Sequence, residues 1–122
     1  MQLSNNFIYN KSLILNSLFN NNEQYIPIKL NFIIRKNIQI LYSYLEEINA
    51  GRQAIGEQYG IITEDGSFSI PPENVNAANK ELEDLGSIVQ EVPIQMIKFN
   101  EIDENIRLTP NQMEAIMFMI EE

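Results

Sequence analysis

The chain contains no cysteine, no histidine and no tryptophan. Without thiols or imidazoles there is no disulfide framework, no Cys/His zinc site, no thiol nucleophile, no serine–histidine couple and no histidine proton shuttle. Most common enzyme designs fall with those groups, and no cofactor is expected. Basic residues are also scarce: 8 Lys and Arg stand against 17 Asp and Glu, a formal net charge of -9. No apolar run approaches the roughly 18 residues of a membrane span, and no secretory hydrophobic region precedes or follows Lys11. A soluble, intracellular product without membrane contact is the expectation. The lack of cysteine fits a reducing cytosol and an assembled particle equally.

What is present is a chain of 122 residues that are 44% hydrophobic. That length and apolar fraction predict one folded domain, residues 1–122, rather than two modules or a disordered chain. Charge is uneven along it. Residues 1–60 carry five basic and four acidic groups, residues 61–122 three and thirteen. A basic partner would be steered towards the second half, whereas duplex DNA would be repelled, so direct nucleic-acid binding is disfavoured.

Residues Leu3 to Tyr9 end in Phe7-Ile8-Tyr9 and suit a short strand. Asn10 is placed to cap a brief helix with Leu13, Ile14, Leu15, Leu18 and Phe19, stopped by Asn20-Asn21-Asn22. The strongest pattern follows. Leu30, Ile34, Ile38, Leu41, Leu45, Ile48, Arg52, Ile55 and Tyr59 recur at spacings of three and four, one face of a long helix from just after Pro27 to Gly60. Gly60 is expected to close it in a left-handed conformation, and Gly51 and Gly56 to weaken its last turns or admit a close neighbour. Arg52, interrupting the stripe, is read as snorkelling or as paired with Glu57 or an acid of the next helix.

Ile61-Ile62-Thr63 and Phe68-Ser69-Ile70 flank Glu64-Asp65-Gly66-Ser67, and an Asp-Gly pair between apolar runs predicts a hairpin with a primed turn. Pro71-Pro72 opens a second helix through Val75, Ala78, Leu82 and Leu85, closing at Gly86 and folding back on the long one. Ile88 to Phe99 reads as a strand, confined by Pro93 to an edge or bulge, with the strand near Phe7 as partner. Thr109-Pro110-Asn111-Gln112 is a capping box opening a short C-terminal helix through Met113, Ile116, Met117 and Ile120. The predicted fold class is α+β: a long helical hairpin with a small antiparallel β-sheet or hairpin and a short C-terminal helix.

Two motifs are weighed and set aside. Gly51 to Gly56 has the glycine spacing of a phosphate loop, but Glu57 and Gln58 stand where the lysine and hydroxyl are required. Glu101, Asp103, Glu104 and Asn105 cluster oxygen atoms without the glycine turn or spacing of an EF-hand, so a solvated acidic loop is preferred to a cation site. A carboxylate acid/base pair is equally unsupported by spacing alone. Met113, Met117, Phe118 and Met119 crowd the last helix, and core packing of one face is the preferred reading; yet Met117-Phe118-Met119 is apolar at consecutive positions, more than so short a helix can bury within its own domain unless it lies between two layers. Those three residues are the leading candidate contact surface, with Tyr42 and Tyr44 as anchors on the long helix's flank. Glu81, Glu83 and Asp84 form a candidate acidic surface.

The opening Met1 to Asn10, the segment Leu45 to Arg52 running into Glu57 to Gly60, then Glu64-Asp65-Gly66, Asn79 to Leu82 and Leu108 to Ala115 together resemble a family of small proteins of tailed bacteriophages and prophages. The resemblance covers nearly the whole chain and carries no catalytic residues to transfer. It implies a phage or prophage gene in a low-GC host, and a place in the virion or the host cytoplasm. Two non-enzymatic roles are compatible with it. One is a virion, head–tail or tail assembly component that packs against itself and other phage structural proteins as a homo-oligomer. The other is a host-takeover or anti-defence inhibitor that holds a basic host protein through its acidic half.

Overall fold

Ser4 decides where the first helix begins. In the computed structural model, which describes residues 1–19, 26–63, 65–98, 100, 102 and 108–121, strand β1 (Gln2–Ser4) passes directly into helix α1 (Asn5–Phe19). The Ser4 hydroxyl accepts the Phe7 amide at 3.1 Å, satisfying a first-turn donor. The strand expected to reach Tyr9 is therefore three residues long, Phe7-Ile8-Tyr9 is helical, and Asn10 lies inside the helix. The early start places Ile8, Ser12, Leu15 and Phe19 on one buried stripe. Each large apolar member contributes about 2 kcal/mol by leaving water.

Helix α2 (Ile28–Tyr59) is 32 residues long, about 45 Å. Leu30, Ile34, Ile38, Leu41, Leu45 and Ile48 are buried along one side as the spacing predicts. Two expectations at its far end are corrected. Gly60 is extended, with φ -113°, and its amide still reaches the Gly56 carbonyl at 2.8 Å. It is needed for room, since a Cβ there would lie 2.6 Å from the Gly56 oxygen. Arg52 lies over the Tyr9 ring, 4.7 Å from its centroid, so its partner is an aromatic face on α1.

The hairpin forms from β2 (Ile61–Ile62) and β3 (Phe68–Ser69), with Ile61 opposite Ser69 and Ile62 opposite Phe68. Its turn is not the expected primed type. A primed type I turn needs two positive φ angles, and among the described residues only Gly66, at 85°, has one. Instead the Gly66 amide bonds back to the Thr63 carbonyl at 3.0 Å, and the Asp65 carboxylate accepts the Ser67 amide and the Thr63 hydroxyl. A 3-10 turn (Pro72–Asn74) leads into α3 (Val75–Ser87), which packs back on α2 with Leu85 against Gly51.

Strand β4 (Val89–Glu91) pairs antiparallel with β1, Gln2 opposite Glu91. The single strand expected over Ile88 to Phe99 is broken after Glu91. Val92 still donates its amide to the Met1 carbonyl, but Pro93 has no amide to offer. Strand β5 (Ile97–Lys98) then pairs in parallel with β6 (Ile120–Glu121). The last helix is corrected with it: α4 (Pro110–Ile116) gives way to a 3-10 turn at Met117–Met119 before β6. The capping box is present as expected, Thr109 accepting the Gln112 amide at 3.1 Å and donating its own amide to the Gln112 side chain at 2.9 Å.

One apolar cluster joins β1, α1, α2, β5 and α4, including Leu3, Ile8, Leu15, Ile34, Leu41, Val92, Ile97, Ile116 and Met119. The architecture is α+β, a long helical hairpin with a small antiparallel hairpin and a short C-terminal helix. Among the described residues no helix is long and apolar enough to cross a membrane.

Candidate protein-contact surfaces

The 3-10 turn separates Met117, Phe118 and Met119. Tightening to three residues per turn spreads them around the axis, so they do not share a face. Met119 is fully buried, its sulfur 3.3 Å from the Asn37 side-chain nitrogen. Phe118 is half-buried, edge-on to Phe7 with ring centroids 5.2 Å apart, and Lys11 lies 5.6 Å from its ring centre. Met117 alone projects outward, 56% exposed. The expected continuous contact surface is therefore reduced to Met117.

The two tyrosines on α2 are also engaged within the chain. Tyr44 donates its hydroxyl to the Glu91 carbonyl at 3.1 Å, pinning β4 to the helix, and Tyr42 packs partly buried against the core. Glu81, Glu83 and Asp84 are all exposed on α3. Gly51 to Gly56 is continuous helix within α2, not a loop. The oxygen-bearing residues Glu101, Asp103, Glu104 and Asn105 lie outside the described residues. Among the described residues no group of three or more carboxylates is placed to hold a metal ion.

Two grooves remain. The first, about 490 Å³, runs between α1 and α4 and is lined by Lys11, Leu13, Ile14, Leu18, Asn111 and Glu114 among others. The second, about 410 Å³, lies between the C-terminal half of α2, the hairpin and α3. Its apolar wall is Ile55, Phe68, Ile70, Val75 and Leu82, and its polar rim includes Asn49, Arg52 and Gln53. Gly56 makes the close packing at its floor possible, since a Cβ there would stand 2.6 Å from the Phe68 ring.

Ile61 of the hairpin is 64% exposed, and a pair of strongly exposed apolar side chains lies at the other end of α2. Ile28 is 83% and Phe32 64% exposed on the first turns of α2. They are four residues apart and so share a face, and Lys29 and Lys36 flank them. The sequence hides this pair because the buried stripe through Leu30 and Ile34 accounts for the helix by itself. The available signal is a second apolar pair at spacing four, offset from that stripe, with Lys29 and Lys36 near it. No protein-family model matches the chain, and neither a curated protein nor a solved structure does.

Proposed function

We propose that the protein is a non-enzymatic assembly component of a tailed bacteriophage, a small virion, head–tail or tail protein that works by packing against copies of itself and neighbouring structural proteins. One observation carries the contact reading: Ile28 and Phe32 stand exposed together on an α2 face flanked by lysines. Large apolar side chains grouped on a surface favour association, because burying each one releases about 2 kcal/mol. The phage setting rests on the sequence resemblance. Sedimentation velocity of the full chain tests the contact reading. Weight-average mass is expected to rise with concentration, and Ile28→Glu with Phe32→Glu to abolish the rise while circular dichroism stays unchanged. Unaltered association in that variant removes this face from the account.

A second reading is favoured by the exposure of Glu81, Glu83 and Asp84 along α3. An unpaired acidic helix flank suits capture of a basic host protein. Charge reversal at the three positions is then expected to weaken capture and flatten its salt dependence.

A further inference from the structure

The two ends of α2 differ in charge and fit one another. Residues 26–44 carry Lys29, Arg35 and Lys36 and no carboxylate. Residues 45–87 carry nine carboxylates against Arg52 and Lys80. The basic end presents the exposed pair Ile28 and Phe32; the acidic end holds the groove of about 410 Å³ walled by Phe68, Ile70, Val75 and Leu82. The groove that the hairpin and α3 form on α2 lies past the helix midpoint, its α2 lining running from Asn49 to Gly56. Basic end and acidic groove are therefore separated by much of a helix about 45 Å long, so the first three turns of α2 cannot fold back into the groove of their own chain.

Resting on the assembly reading above, we infer that a second copy of this chain fills that groove, inserting the Ile28–Phe32 face of its own α2 in a head-to-tail contact. Both sides of the contact have an apolar centre, and the net charge around the two is of opposite sign: Arg52 stands on the groove's own rim, but the carboxylates of residues 45–87 outnumber it and Lys80 nine to two. Lys29 and Lys36 flank the entering pair, while Glu81 and Glu83 stand on α3 beside the Asn79 and Leu82 that line the groove. An aromatic side chain entering an apolar pocket with complementary charge beside it is an arrangement that concentrates binding energy at protein interfaces. Because the two surfaces differ and lie apart on one molecule, each junction leaves a free basic end and a free groove. The contact is heterologous and propagates, closing into a ring or extending as a filament.

The test mixes two variants, each damaged at one surface only. Phe32→Glu spoils the basic end and keeps the groove; Val75→Arg places a cation in the groove and keeps the basic end. Both positions are exposed, and unchanged helix content and melting temperature are to be verified for each. Alone, each is expected to stay monomeric at concentrations at least tenfold above those where the unaltered chain associates. Mixed in equal amounts, they are expected to form a one-to-one dimer that grows no further. Association of the unaltered chain with no dimer in the mixture would mean a two-fold symmetric interface; that overturns the head-to-tail contact and leaves the assembly reading standing. A chain monomeric at every concentration yet present in purified particles overturns this inference alone. Binding of the basic end to phosphatidylserine vesicles, without self-association, reassigns the face to a membrane and likewise overturns it.

Discussion

Three buried amide side chains hold the junctions between elements. Asn5 donates to the Leu85 carbonyl at 2.9 Å and accepts from Gln90 at 2.6 Å, tying the start of α1 to the corner between α3 and β4. Gln112 completes its own capping box and donates to the Leu18 carbonyl at 2.9 Å. Asn37, fully buried on α2, donates to the Gln95 carbonyl at 2.9 Å and accepts the Gln95 amide at 2.8 Å. It takes the place of a neighbouring strand where the ladder is interrupted after Pro93. Among the described residues no buried side-chain polar atom lacks a partner. Replacing Asn37 with Leu keeps the number and branching of the side-chain heavy atoms but strands both groups of Gln95, so a loss of about 2 kcal/mol or more is expected. Urea titration should place the variant's midpoint lower at an unchanged slope; an equal midpoint would show that the paired bonds contribute nothing net. Asp65 gives a pH dependence. The Thr63 hydroxyl first, and then the Ser67 amide, hold its carboxyl below its ordinary value. A lowered carboxyl supports the folded turn above the ordinary carboxylate range, and that support is lost as pH falls through the folded value. Amide exchange at Ser67 is accordingly expected to be flat from pH 5 to 8, after correction for intrinsic rates, and to quicken below about pH 4. The same corrected profile in Asp65→Asn would contradict the assignment.

At the scale of elements, the long helix, the hairpin, α3 and the last capping box were legible because each is written in local spacing: apolar residues at three and four, Asp-Gly between apolar runs, Thr109 three residues before Gln112. The short strands were not. Ile97–Lys98 and Ile120–Glu121 form a parallel pair across more than twenty residues, and two-residue strands leave no periodicity to read. Met117 to Met119 reads as helix in the sequence because an apolar run cannot show that its hydrogen bonding tightens to 3-10 before a strand. The candidate surface was misplaced for the same reason, since facing depends on the turn. Asn37 was hidden by its neighbours: Ile34, Ile38 and Leu41 made the stripe complete without it. The two interior glycines of α2 separate packing from propensity. Gly51 faces only the flexible end of Leu85, with a Cβ separation of 3.1 Å, whereas Gly56 faces the Phe68 ring at 2.6 Å. Gly51→Ala is expected to be neutral or to gain up to about 1 kcal/mol of helix propensity. Gly56→Ala should instead lose about 1–3 kcal/mol by overpacking. Thermal melts of the pair decide this, and equal shifts would show that the hairpin does not constrain α2.

The whole molecule is electrically lopsided, with a net charge of -9 and no carboxylate between residues 26 and 44. Association between its unlike ends depends on exposed charge, so it must weaken as ions screen it over a Debye length of about 10 Å at 0.1 M. Raising salt from 0.05 to 0.5 M is expected to reduce self-association several-fold through the rate of encounter, with the apolar contact of Ile28 and Phe32 persisting. Association that strengthened steadily with salt would point to an apolar contact without charge steering. The central claim, that this chain acts as a part of an assembled phage particle, is tested most directly by quantitative mass spectrometry of particles purified from the lysate of the host that carries the gene. The chain is expected in them at a fixed, stoichiometric copy number that survives repeated banding. Its absence from the particles while it is abundant in the same cells would contradict the claim and favour the acidic inhibitor in its place.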